Sequence, residues 1–308
     1  MATRTPSFGI KTTPAHVGYR DILRVWQEAD RIPELEHAWL YDHLLPRVGR
    51  GGAADTELSG SVHEGWTLLS ALAARTDRLR LGLLATNNRI RHPALLAKIA
   101  ATVDEISGGR LDVGLGIGGL PRTNPQFPIT VAPEYHAYGI PIRPWGEAVA
   151  AFAEACTLIR RLWTGDVFDF PGRYYTLTGA RCHPRPVQRP YPPLLIAGAG
   201  PATLRIVAEH ADIWNVIGPP AGDLGVLRER SRTLDEYCAE VGRDPGEITR
   251  SAQLVVPYEQ PERTREYLRG LIDAGFTHLV LNPPAPYPDG VARWVTDEFV
   301  LPTLDYAS

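Results

Sequence analysis

The 308-residue sequence predicts an α/β fold: a (β/α)8 TIM barrel with insertions after strand 4 and before strand 5. Three observations lead there. Short apolar, strand-like runs alternate with longer helical patterns from end to end, which implies parallel strands joined by helical crossovers. Eight such runs occur, the number that closes into a barrel, whereas fewer would favour an open doubly wound sheet. The chain also exceeds the about 250 residues typical of a barrel, and the surplus falls at 117–145 and 165–192. Nothing resembling a linker divides the chain, so 1–308 reads as a single domain.

The first expected strand is Phe8-Gly9-Ile10, followed by a helix over 19–30; the second is Ala38-Trp39-Leu40-Tyr41, ending at Asp42-His43. A helix over 65–75 leads to the third strand, Leu79 to Leu84. Pro93 suits a first helical turn, where a missing N–H costs nothing, and Gly108-Gly109 supplies a stop. Between them Leu95, Leu96, Ile99, Val103 and Ile106 recur at helical spacing. Leu111 to Gly116 is the fourth strand. The remaining four are 193–197, 212–215, 253–256 and 278–281, with helices near 146–163, 201–209, 223–241, 261–273 and 288–304. The insertion at 117–145 leaves the C-terminal end of strand four, the face on which barrel active sites sit. The one at 165–192 contains an expected hairpin, 167–170 and 174–177, turning at Pro171-Gly172-Arg173.

Composition removes several classes of chemistry. With 44% apolar residues and a net charge of −3, the chain is ordinary globular material with no basic field suited to nucleic acid. No apolar run approaches the about 18 residues of a membrane span, and the N-terminus lacks a signal-peptide core; a cytoplasmic protein is expected. Cys156, Cys182 and Cys238 are scattered and odd in number, which reads as free thiols rather than a disulfide frame or metal site. Only Lys11 and Lys98 among 32 basic residues are lysines, which leaves Schiff-base chemistry to Lys11 with no second feature behind it.

Two features remain. His43 follows Asp42 at the end of strand two, and alternation would turn only one of them to the barrel mouth unless the backbone bends. A lone histidine is ordinarily structural, but strand-end placement beside an acid singles this one out, and no HxH or HExxH pattern suggests metal. Glycine-rich turns follow strands four and five. Gly198-Ala199-Gly200-Pro201 is the better anion cradle because a helix starts at Pro201, although tight packing alone would also explain it.

The run Asp42-His43-Leu44-Leu45-Pro46 resembles the strand-two signature of the luciferase-like flavin and deazaflavin oxidoreductases. The resemblance continues through Trp66 to Thr76, Arg91 to Lys98, Ile106 to Leu111, Pro184 to Gln188 and Ala211 to Asn215, nearly the whole chain. It implies a coenzyme F420-dependent oxidoreductase acting on a small molecule, with FMN as the alternative cofactor and an FMN-dependent monooxygenase or a non-catalytic flavin-binding protein as alternative functions. It further implies His43 beside the reactive ring and Asp42 in the same segment. Leu84, Ala85 and Thr86 would lie at a non-prolyl cis peptide behind the ring, Gly118 in the cofactor wall, and Gly198, Ala199, Gly200 and Pro201 at the phosphate. No nucleic acid or membrane partner is implied, and a homodimer is. The sequence departs from the family at Gly118-Gly119-Leu120, where relatives commonly carry Trp or Glu after the glycines. A Pro-rich stretch follows before Glu134-Tyr135-His136-Ala137-Tyr138 resumes the pattern, and Phe127, His136 and Tyr138 are expected to line a reshaped pocket.

Overall fold

The computed structural model describes residues 5–46, 60–119, 131–218 and 223–308. In chain order they form β1 (Ser7–Lys11), α1 (Tyr19–Asp30), β2 (His37–Leu40), α2 (Gly65–Ala73), β3 (Arg80–Leu83), β4 (Thr86–Asn87), α3 (Pro93–Ile106) and β5 (Leu111–Gly116). Then come α4 (Ala132–Ala137), α5 (Trp145–Thr164), the hairpin β6 (Phe168–Pro171) and β7 (Thr176–Ala180), β8 (Leu194–Ala197), α6 (Pro201–His210) and β9 (Ile213–Ile217). The chain ends with α7 (Leu224–Glu240), β10 (Thr249–Val255), α8 (Pro261–Asp273), β11 (His278–Asn282), α9 (Val291–Val295) and α10 (Leu301–Ala307). Strands β1, β2, β3, β5, β8, β9, β10 and β11 pair in parallel around a closed ring, β11 returning to β1. The expected (β/α)8 barrel is the fold.

Four local expectations change. In α3 the buried face is Leu96, Ala97, Ala100, Ala101 and Val103, while Leu95 and Ile106 face outward at 56% and 46% exposure. Small alanines let the helix lie close to the barrel, so the inward face is not the one with the largest side chains. The hairpin turn comes later than expected because Glu154 of α5 accepts the amides of Arg173, Tyr174 and Tyr175 and holds them in the turn. The last helix is broken by a wider π-type turn over Thr296–Val300. Pro302 has no N–H for the Glu298 carbonyl, which receives Arg265 Nη1 at 3.4 Å instead. Finally, α4 forms inside the segment read as a loop.

The core has two layers. The larger lies between strands and helices; the smaller, Trp39, Leu84, Leu195 and Val280, plugs the barrel interior. A chain of polar side chains runs beside that plug. Trp39 Nε1 donates to His37 Nδ1 at 2.7 Å, His37 stacks on His278 at 3.9 Å, and His278 Nδ1 meets Ser251 Oγ at 2.8 Å. Asn215 Nδ2 donates to Ser251, Gln253 Nε2 donates to Asn215, and Lys11 Nζ donates to Gln253 near the top. Except for His37 Nε2, which is buried without a partner, these polar side chains satisfy one another, which is the condition for keeping them there. The interior rings need room, and Gly82 provides it. A methyl at Gly82 would stand 2.3 Å from the Asp112 carbonyl oxygen and 2.5 Å from Trp39 Cζ3.

Two predictions follow from this packing. Gly82→Ala is expected to cost about 3 kcal/mol, because neither backbone nor indole has space to yield; the urea midpoint measures it. Burial pushes the His278 imidazole down to about 4 and that of His37 well below its ordinary value, so both are neutral in the fold. With folded values depressed, their contribution is complete above the unfolded value of 6.5 and is lost as pH falls below it. The expected slope is up to about 1.4 kcal/mol per pH unit for each group. Unfolding midpoints from about pH 7 to about pH 5 are expected to fall less steeply in His278→Asn than in the wild type.

Candidate active site

A cavity of about 470 Å³ opens at the C-terminal ends of the barrel strands. Its wall includes Asp42 and His43, the β3–β4 break, the glycines after β5, Trp145 and the turn leading into α6. Because β2 ends at Leu40, Asp42 and His43 lie beyond the strand, where alternation no longer applies, and both reach the cavity.

The two side chains do different work. Asp42 is buried, and its carboxylate accepts the Asn87 amide at 3.0 Å together with both terminal nitrogens of Arg91 at 2.6 and 3.0 Å. Arg91 also pairs with Glu64, the N-cap of α2. Asp42 is therefore spoken for as the clamp that ties the end of β2 to β4 and to the start of α3. His43 keeps 19% of its side chain exposed and pairs through Nδ1 with Glu134 Oε2 at 3.0 Å. The other Glu134 oxygen accepts the Leu44 amide. An ionised carboxylate only accepts, so Nδ1 carries the proton and Nε2 is the nitrogen left for chemistry.

Behind these, the Leu84–Ala85 peptide is cis, and Ala85 and Thr86 form part of the cavity wall. Lys11 Nζ donates to the Leu84 carbonyl at 3.1 Å, so the lysine braces this bend. On the opposite side Gly198, Ala199, Gly200 and Pro201 line the cavity with Ala202 and Thr203. Gly198 has φ +143°, and an added Cβ would lie 2.8 Å from Thr203 Cγ2. No side chain caps α6, so the first-turn amides of Ala202 and Thr203 lack an acceptor within the helix. Gly118, at φ +100°, also lines the cavity, and a Cβ on Gly119 would collide with Val131 at 2.3 Å. Val131 thus fills the space that a larger residue at 119 would claim.

His136 and Tyr138 are not brought to the cavity. Both lie on the exposed face of α4, Tyr138 at 55% exposure with a long contact to the Leu44 carbonyl, while Glu134 and Tyr135 turn inward. Phe127 falls outside the described residues. Sequence reasoning missed Glu134, Arg91, Asn87, Lys11, Trp145 and Thr203 as parts of the site. Glu134 had a signal as the acid opening the segment after the Pro-rich stretch, Arg91 as the first residue of a family-like segment, and Lys11 only as a candidate for Schiff-base chemistry.

The residues suit a phosphate-bearing ring cofactor. The Thr86 hydroxyl, in the cavity wall and fully buried, has no hydrogen-bond partner, and the uncapped α6 turn offers amides and a dipole to an anion. Among the described residues no cluster of His, Cys, Asp and Glu could hold a metal, and no helix is long and apolar enough to cross a membrane. The three cysteines are buried free thiols.

The family profile for luciferase-like monooxygenases matches residues 3–290. The chain belongs to that family. A relative, the phthiodiolone/phenolphthiodiolone dimycocerosates ketoreductase of Mycobacterium kansasii, is 32% identical over 70% of this chain and 57% of its own length. The F420-dependent glucose-6-phosphate dehydrogenase of Amycolatopsis mediterranei is 30% identical over 66% of this chain and 55% of its own. The chain thus spans a little over half the length of these relatives. An F420-dependent secondary alcohol dehydrogenase, solved with an F420-acetone adduct, shares the fold at TM-score 0.78 and 17% identity, covering 98% of this chain and 99% of that one. A monooxygenase from Streptomyces bottropensis does so at TM-score 0.71 and 22% identity, covering 98% and 100%.

The clamp gives a direct prediction. Arg91→Ala would strand the Asp42 carboxylate, whose side chain has no exposure, and is expected to destabilise the protein by about 3–5 kcal/mol. Arg91→Ala combined with Asp42→Asn is expected to recover part of that loss, read as thermal or urea midpoints in a double-mutant cycle.

Proposed function

We propose that the protein is a coenzyme F420-dependent oxidoreductase that moves a hydride between the deazaflavin and a small organic substrate. One observation carries this reading: a single cavity has an uncapped helix N-terminus on one side and a carboxylate-oriented histidine on the other. The F420-dependent relative and the F420-dependent structural neighbour support the coenzyme. Coenzyme F420, when bound, supplies a carbon centre that carries hydride.

The chain's own residues do the rest. The Gly198–Pro201 turn and the amides of Ala202 and Thr203 would hold the phosphate. Ala85 and Thr86 form the wall for the ring, held in place by Lys11 at the Leu84 carbonyl and by Asp42 at the Asn87 amide. His43 Nε2 would take the proton from a substrate hydroxyl as hydride leaves carbon, and in the reverse direction the imidazolium so formed, paired with Glu134, would return that proton to the substrate oxygen. Glu134 keeps the imidazole in the tautomer and orientation that this needs. The half-enclosed cavity limits water around the transferring hydride.

Titration of the purified protein with F420 and with FMN tests the cofactor. F420 is expected to bind, and Gly200→Asp, which sets a carboxylate at the start of α6, is expected to weaken it by at least about tenfold. Tight FMN binding without F420 binding would replace this reading with an FMN-dependent monooxygenase. His43→Ala is expected to keep F420 affinity and lower turnover by about 10²–10⁴-fold, the usual contribution of a positioned acid or base. Unchanged turnover in that variant sinks the role given to His43.

A further inference from the structure

Two arginines beside residues of the cavity wall pair with no carboxylate among the described residues. Arg89 follows β4, and its Nε and Nη1 donate to the carbonyls of Ile117 and Arg143 at 3.3 and 3.2 Å. Its Nη2 is buried without a hydrogen-bond partner. The half-buried Arg143 guanidinium lies 5.7 Å from the Tyr174 ring, and no described carboxylate pairs with either arginine. Glu154 spends both oxygens on hairpin amides, and Glu134 spends both on His43 and Leu44. Residues 120–130 contain no Asp or Glu.

The pair adjoins the site already described. Ile117, Gly118 and Trp145 all line the cavity; Arg89 bonds to the first, its Cγ lies 3.0 Å from where a Cβ on the second would stand, and Arg143 precedes the third by two residues. Burial and, after it, the neighbouring Arg143 charge hold the Arg89 guanidinium below its ordinary value. A buried N–H without an acceptor, such as Arg89 Nη2 in its part-buried side chain, is costly unless an acceptor arrives, and a planar donor fork suits carboxylate or phosphate.

We propose that Arg89 and Arg143 form an anion subsite that takes the carboxylate or phosphate group of a molecule bound in the cavity, so that the oxidoreductase acts on an acidic substrate. The acidic-substrate part rests on the function proposed above; the anion subsite itself does not.

Calorimetric titration with inorganic phosphate at constant ionic strength tests it. The wild type is expected to bind two phosphates, one at the α6 turn and one at the arginines. Gly200→Asp is expected to leave one, and Arg143→Gln in that background to weaken the remaining one by at least about tenfold. Arg143 donates no hydrogen bond from its guanidinium among the described contacts, so this variant does not threaten the fold. Two phosphates retained in Arg89→Gln/Arg143→Gln, or none bound by Gly200→Asp, overturns the subsite. A Gly200→Asp protein that still binds as the wild type does would instead count against the coenzyme reading. With F420 saturating, an arginine-dependent phosphate site that persists assigns the anion to the substrate. Its disappearance assigns the anion to the coenzyme and overturns the acidic-substrate part.

Discussion

The candidate site depends first on one buried carboxylate. Asp42 receives Arg91 through both terminal nitrogens and the Asn87 amide besides, with no exposure of its own side chain. Those bonds join the end of β2, the short β4 and the residues just before α3. Arg91 carries the connection on to Glu64, and through that N-cap to α2. A charge pair buried this deeply is tolerated only when its hydrogen-bonding positions are filled. The geometry is correspondingly specific: the chain must leave β2 in one direction, and His43, the next residue, is delivered to the cavity.

The floor beneath is organised by a second polar device. From His37 and His278 at the start of their strands to Lys11 at the end of β1, side chains hand hydrogen bonds along the barrel interior. Lys11 ends the series on the Leu84 carbonyl. The shortage of lysine noted in the sequence thus leaves one lysine in the barrel interior, in the service of shape. With the floor held by Lys11 and the near wall by Asp42, adaptable chemistry is left to the rim, where Glu134 of α4 reaches His43.

Much of the fold was legible in the residues, and the reasons are local. β5 and α8 fall where apolar runs, Pro93-like starts and glycine stops place such elements. Errors arose where a distant partner intervened. Glu154 captures the amides of Arg173, Tyr174 and Tyr175 across nineteen to twenty-one positions and moves the hairpin turn. Leu95 and Ile106 matched a helical stripe, yet the alanine face is the one that fits the barrel. The candidate site divides in the same way. His43, the Leu84–Thr86 bend and the Gly198–Pro201 turn carry signatures within a few residues, whereas Glu134 lies 91 positions from His43. His136 and Tyr138 were chosen by residue type, and α4 is too short for type to reveal which face looks inward.

By itself the sequence determined the order of strands and helices, the barrel they close into, and three short segments at the cavity: Asp42-His43, the Leu84–Thr86 bend and the Gly198–Pro201 turn. Periodicity, proline and glycine act over a handful of residues, so those features can be read without coordinates. Only the tertiary structure decided that Asp42 is a clamp rather than a free ligand, that Glu134 orients His43, and that Arg89 and Arg143 come together with no described carboxylate paired to either. Each of those outcomes depends on which buried charge finds a partner, and the partners are far apart in the chain.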